Sequence, residues 1–162
     1  MQDDRIKVTF TVNGALRSVE VESRETLLDA LRDKLELVGA KKACDEAVCG
    51  ACTVIFNGKA ICSCMILAVE ASGSHLVTIE GLKKEYLDEM QKAFIQNDAA
   101  QCGFCTSGQI LSAKAFLSAL NKKNAPPDEE TIKEALSGNL CRCGCYNNIV
   151  RAVQQVSRMG VV

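Results

Sequence analysis

Three cysteines fall within the nine-residue segment CDEAVCGAC, which runs from Cys44 to Cys52. Their spacing, C-x4-C-x2-C, is one of the established spacings for three of the four thiolates that hold a [2Fe–2S] cluster. Such a loop must curl its backbone around a small object, and the small residues Ala47, Gly50 and Ala51 permit the curl. The amide N–H groups of a curled loop can then point at the sulfurs and offset their negative charge.

The fourth thiolate must come from further along the chain. Cys62 and Cys64 follow in a predicted hairpin, and both would face the same side of a strand. The alternation of residues in that strand therefore leaves both cysteines as candidates for the fourth ligand.

A second set of cysteines lies in the C-terminal half: Cys102 and Cys105 form one pair, Cys141 and Cys143 form another, and Cys145 follows just beyond. Each pair lies at the boundary of a predicted helix, so two helix-end loops brought together would present four thiolates. Cysteine spacing alone also permits a zinc site, because C-x-x-C pairs are common among zinc ligands.

The remaining composition narrows the class of protein. The sequence begins MQDDRIKVTF, without the pattern of a signal peptide, and no apolar run approaches the roughly 18 residues that span a bilayer. We therefore expect a soluble, cytoplasmic protein in which the ten cysteines serve as metal ligands more readily than as disulfides. A net charge of −1 argues against nucleic-acid binding, and no G-x-G-x-x-G or P-loop motif indicates a nucleotide site.

The two halves differ in hydrophobic periodicity. The first half predicts strands at residues 6–12 and 16–22, a helix at 26–35, a hairpin at 53–62 and a short strand at 75–82. After residue 82 the pattern becomes helical. The predicted helices cover residues 87–97, residues 107–121, a segment capped by Asp128 that ends near Gly138, and residues 147–158. The predicted fold class is α+β, with domains at residues 1–82 and 83–162.

Five segments together resemble the small iron–sulfur subunit of the xanthine dehydrogenase family of molybdenum hydroxylases, which includes aerobic carbon monoxide dehydrogenase, nicotinate dehydrogenase and 4-hydroxybenzoyl-CoA reductase. The segments are CDEAVCGACTV (44–54), SCMILA (63–68), TIEGL (78–82), QCGFCTSGQILSAKA (101–115) and EALSGNLCRCGCY (134–146). Their occurrence in this order is far more specific than any one motif.

The resemblance implies an N-terminal β-grasp, plant-ferredoxin-like domain and an all-α, four-helix C-terminal domain, each with one [2Fe–2S] cluster. It assigns the first cluster to Cys44, Cys49, Cys52 and Cys64, and the second to Cys102, Cys105, Cys141 and Cys143. Cys62 and Cys145 are then spare thiols.

The resemblance also implies a role in electron transfer without catalysis by this chain alone. The expected partners are a large molybdopterin-binding subunit, which the second cluster approaches, and an FAD-binding subunit, in a heterotrimer or its dimer. Gln101 resembles a family position close to the pterin. A free ferredoxin is the alternative carrier, but the net charge of −1 and the second, helical half count against it.

The sequence departs from the family pattern at four places. Ala43 and Ala47 stand where the family has glycine, Ser107 stands where it has proline, and CRCGCY replaces CRCTGY. The last change places Cys145 beside the second cluster. Arg142, between two ligands, is either a charge that offsets the cluster or a solvated side chain; Tyr146 is expected to pack and His75 to lie on the surface.

Overall fold

The computed structural model describes residues 5–82, 85–120 and 125–160. The domain boundary predicted near residue 83 and the last residue of the helix predicted at 107–121 lie outside these ranges. In the described segments, none of the helices has both the length and the apolar character that crossing a membrane requires.

The N-terminal half is built on a five-stranded mixed sheet. Its strands are β1 (Arg5–Val12), β2 (Ala15–Glu22), β3 (Thr53–Phe56), β4 (Lys59–Cys62) and β5 (His75–Val77). The spatial order is β2-β1-β5-β3-β4, with β1 and β5 parallel and the other neighbours antiparallel. Both predicted hairpins are present, and Asn13 and Asn57 at their turns adopt φ values of 53° and 48°.

One helical segment covers a face of this sheet. It begins as α1 (Leu27–Asp29), capped by the Thr26 side chain, and continues as a π-helical turn over Ala30–Lys34. Leu28 and Leu31 on this segment are fully buried, and so is Phe10 on β1. The alternation along β1 and the helical spacing of the leucines therefore create one apolar core, as the sequence predicts.

The strand predicted at 75–82 is wrong beyond Val77, because residues Ile79–Leu82 form a 3-10 turn. The Asn13 side chain accepts a hydrogen bond from the Thr78 amide and donates one to the Thr78 hydroxyl, both at 2.9 Å. The Thr78 amide thus bonds to a side chain, and the strand ladder ends there.

The C-terminal half contains the helices α2 (Glu89–Gln96), α3 (Thr106–Ala119), α4 (Glu129–Ala135) and α5 (Tyr146–Met159). Asp128 caps α4, as predicted, by accepting a hydrogen bond from the Thr131 amide at 2.9 Å. Met90, Ile132 and Ile149 are almost fully buried in a second apolar core. Each such side chain contributes about 1.5–3 kcal/mol to the stability of that core.

The two halves meet where α3 packs against β3 through residues without side chains. A Cβ added at Gly108 would clash with the carbonyl oxygen of Gly50, and a Cβ added at Gly50 would lie 2.5 Å from the Asn139 Nδ2 atom. Glycine at position 108 therefore lets α3 approach the backbone of the first cysteine loop (residues 44–52), and glycine at position 50 lets residues 138 and 139 approach the same loop.

We predict that Gly108→Ala lowers the free energy of unfolding by about 1–3 kcal/mol, because backbone atoms must move to admit the methyl group. Gly138→Ala is the matched control, since a Cβ at Gly138 meets no atom within 4 Å. Anaerobic denaturant titration of both variants measures the difference. Equal stability of the two variants would contradict the tight approach of the two halves.

Candidate metal centres

Three residues with a left-handed backbone conformation curl the first cysteine loop. Asp45, Ala47 and Gly50 have φ values of 60°, 56° and 67°. Lys42 anchors the loop, because its ammonium lies 2.8 Å from Asp29 on α1 and 3.4 Å from Asp45. The loop is therefore shaped as a concave backbone surface with amide groups that can face an anion.

The thiols of the first set lie in two pairs. The Sγ atoms of Cys52 and Cys64 are 3.4 Å apart, and both residues are buried. The Glu46 amide donates a hydrogen bond to the Cys44 sulfur at 3.4 Å. That hydrogen bond and a second one from the Cys49 thiol lower the pKa of Cys44 to about 7. Cys44 thus pairs with Cys49, while Cys52 pairs with Cys64.

The prediction that Cys62 and Cys64 face the same side of one strand is wrong. Strand β4 ends at Cys62, and Ser63–Met65 form a 3-10 turn. The Ser63 hydroxyl donates to the Cys52 carbonyl oxygen at 2.7 Å and holds the chain in this turn. The turn keeps Cys64 against Cys52, and Cys62 remains half-buried at the edge of the same site.

Burial has a clear effect on the thiols at the sheet side of this site. It raises the pKa of Cys64 to about 11. The pKa of Cys52 is also raised, first by its hydrogen bond to Cys62 and then by burial. Because iron binds thiolates, Cys52 and Cys64 would each have to lose a proton to serve as iron ligands.

The second set also forms two pairs. Each pair joins one cysteine of the loop at residues 102–105 to one cysteine of the loop at residues 141–143. A hydrogen bond from the Phe104 amide and another from the Cys143 thiol lower the pKa of Cys102. Burial and the hydrogen bond to Cys141 raise the pKa of Cys105 to about 12. The sequence prediction that these loops lie at helix ends is correct, since Cys105 is the residue before α3 and Cys145 the residue before α5.

Pairs of thiols fit two bridged irons, each of which takes two cysteine ligands. A single zinc ion instead needs its donors to converge on one point. The residues of both sites thus fit a [2Fe–2S] cluster better than a mononuclear metal.

Tyr146 has a role that the sequence did not reveal. The sequence predicts that Tyr146 packs, but the residue is 44% exposed and its hydroxyl accepts a hydrogen bond from the Cys141 amide at 2.7 Å. Cys145 is buried, and its thiol is hydrogen-bonded to that of Cys141. Gln101, Arg142 and His75 are exposed.

A short network of hydrogen bonds joins the first cysteine loop to residues 139 and 140, which precede Cys141. The Leu140 amide donates to the Cys49 carbonyl oxygen at 2.9 Å. The Asn139 side chain donates to the Gly50 carbonyl oxygen at 3.0 Å, and the Gln109 side chain donates to the Asn139 carbonyl oxygen at 2.8 Å. Sequence reasoning missed Gln109 and Asn139, because a buried amide carries no periodic or spacing signal.

A cleft of about 410 Å³ lies between the first cysteine loop and the loops that carry the second set of cysteines. Cys49 of the first set and Cys102, Cys105 and Cys141 of the second all contribute to its wall. The two sites are therefore close enough to share one surface.

Two family profiles match the chain in successive segments that overlap at residues 78–82. Residues 10–82 match a family described as a 2Fe-2S iron-sulfur cluster binding domain, and residues 78–154 match one described as a [2Fe-2S] binding domain. The fold and the two thiol sites thus belong to a protein with two [2Fe–2S]-binding units.

Similar proteins with known names narrow the class of protein further. The chain is 45% identical to the aldehyde oxidoreductase iron-sulfur-binding subunit PaoA of Escherichia coli O157:H7, over 93% of this chain and 71% of the relative. It is 46% identical to the nicotine 6-hydroxylase small subunit of Paenarthrobacter nicotinovorans, over 93% of this chain and 88% of the relative.

A solved structure has the same overall shape. A chain in the crystal structure of quinoline 2-oxidoreductase from Pseudomonas putida 86 is 37% identical, with a TM-score of 0.87, over 99% of this chain and 100% of that one. The protein belongs to the family of electron-transferring iron–sulfur subunits of molybdenum hydroxylases, as the sequence motifs predicted.

We predict that Tyr146→Phe retains both clusters but lowers the free energy of unfolding by about 0.5–1.5 kcal/mol, because the Cys141 amide loses its acceptor. Tyr86→Phe is the control, since Tyr86 is 73% exposed. Iron analysis and denaturant titration test both variants. A Tyr146→Phe variant as stable as the control would show that the hydroxyl contributes nothing.

Proposed function

We propose that this chain relays electrons, one at a time, from a molybdopterin-bearing subunit to an FAD-bearing subunit. The hydrogen bond from Leu140 to Cys49 carries this proposal most directly. Cys49 is a proposed ligand of the first cluster, and Leu140 directly precedes Cys141, a proposed ligand of the second. The bond therefore supplies a short route through backbone atoms between the two sites.

The proposed ligands of the first cluster are Cys44, Cys49, Cys52 and Cys64. The pairing of Cys44 with Cys49 and of Cys52 with Cys64 supports this set, because each pair suits one iron. The Glu46 amide would also help to stabilise the negative charge at Cys44.

The proposed ligands of the second cluster are Cys102, Cys105, Cys141 and Cys143. The thiol contacts of Cys102 with Cys143 and of Cys105 with Cys141 support this set. When bound, each cluster accepts and donates a single electron, so that two clusters divide an electron pair.

We also propose a β-grasp, ferredoxin-like domain at residues 1–82 and a four-helix domain at residues 83–162. The mixed sheet covered by α1 supports the first, and the helices α2 to α5 support the second. The boundaries of the two profile matches, at residues 78 and 82, agree with a division in this region.

The helical-domain site is proposed to face the molybdopterin subunit. Gln101 is exposed in the loop before Cys102, so its amide is accessible to a pterin from outside the chain. Phe104 is 46% exposed in the same loop and offers apolar surface for docking. The ferredoxin-like site then passes electrons to FAD, in a cytoplasmic heterotrimer or its dimer.

Cys49→Ala tests the relay in the assembled complex. We expect iron to fall from about four to about two atoms per chain, because each cluster holds two irons. Substrate should still reduce the molybdenum centre, but flavin reduction should be blocked, as followed by rapid-mixing spectroscopy.

Cys145→Ala is the matched control for this variant, since Cys145 is a thiol beside the second site that the assignment leaves unused. It should keep about four irons and normal flavin reduction. Normal flavin reduction in Cys49→Ala would mean that electrons do not take the proposed route.

A further inference from the structure

The first site contains five thiols, although a [2Fe–2S] cluster uses four. The fifth belongs to Cys62, which has no role in the proposed ligand set. We propose that Cys62 is a substitute ligand of the first cluster, able to replace Cys64 on the iron that Cys52 binds. This inference rests on the proposed assignment of that cluster.

The strand register places Cys62 at the site. In the β3–β4 hairpin Cys62 pairs with Thr53, which directly follows Cys52. The Cys62 Sγ atom lies 4.0 Å from the Ala47 carbonyl oxygen, inside the curled cysteine loop. The side chain of Cys62 is thus directed toward the loop that would surround the cluster.

Cys52 contacts both of the thiols that compete for its iron. Its sulfur lies 3.4 Å from that of Cys64 and is also hydrogen-bonded to that of Cys62. This contact places the Cys62 sulfur beside the same partner as the Cys64 sulfur, within reach of the iron that Cys52 would bind.

The exchange needs little movement of the chain, because only Ser63 separates the two cysteines. One iron–sulfur bond to Cys64 breaks and one to Cys62 forms, while a proton leaves the Cys62 thiol and a proton binds the released Cys64 thiolate. No electron is gained or lost, so the step requires neither an oxidant nor a reductant.

Other positions lack this arrangement. Cys44 is paired with Cys49 and the Glu46 amide, whereas Cys62 contacts Cys52. Cys145 lies near Cys141 but is only 5% exposed and packs into the helical core at the start of α5. Moving Cys145 onto an iron would therefore displace a helix.

The test compares four full-length variants in the assembled complex: Cys64→Ala, Cys62→Ala, the double variant, and Cys44→Ala as the control without a substitute thiol. Iron per chain and electron paramagnetic resonance of the reduced protein are the readouts. The signal of the second cluster reports that each variant has folded.

We expect Cys62→Ala and Cys64→Ala each to keep about four irons per chain, with the first cluster's signal changed only in Cys64→Ala. The double variant and Cys44→Ala should fall to about two irons and retain only the second cluster's signal. A Cys64→Ala variant with about two irons would overturn the proposal. A wild-type chain without iron would instead overturn the proposed function itself.

If Cys64→Ala loses both signals and therefore does not fold, Cys64→Ser replaces it. The proposal then requires that adding Cys62→Ala to Cys64→Ser removes the first cluster or changes its signal. Identical signals from these two proteins would mean that serine is the ligand and would overturn the proposal.

Discussion

Backbone contact between the two halves is the constraint on which the arrangement of the two metal centres depends. Gly50 in the first cysteine loop meets Gly108 in α3, and the Leu140 amide donates to the Cys49 carbonyl oxygen at 2.9 Å. Side chains at these positions would separate the loops. The same small residue, Gly50, both curls the first loop and lets Gly138 and Asn139 approach it, so the shape of the first thiol site and the packing of the two halves rely on one position.

The local structure could be predicted from the sequence because its signals are local. Alternation gave β1 and β2, helical spacing gave the leucines of α1, and Asp128 marked the start of α4. The cysteine spacing likewise predicted two thiol sites. What the sequence could not provide were contacts between distant residues, such as the bond of Asn139 to Gly50 across 89 positions.

Two errors have the same physical origin. The strand after Val77 ends because the Asn13 side chain bonds to Thr78, 65 residues away in the chain. Cys64 lies in a 3-10 turn after β4, where the Ser63 hydroxyl donates a hydrogen bond to the Cys52 carbonyl oxygen. In both cases a polar side chain makes a hydrogen bond at the end of a strand, and hydrophobic periodicity does not record such a bond. Ala47 is a separate case, because its backbone conformation also carries no periodic signal. It occupies a left-handed conformation that costs about 1–2 kcal/mol for a residue other than glycine.

The central claim is that the chain holds two [2Fe–2S] clusters in two separate thiol sites. Iron and acid-labile sulfide analysis of the purified complex, with electron paramagnetic resonance of the reduced protein, tests it most directly. The account predicts about four irons and about four sulfides in this chain, with two distinct rhombic signals. Zinc in place of iron, or a single signal from fully loaded protein, would contradict it.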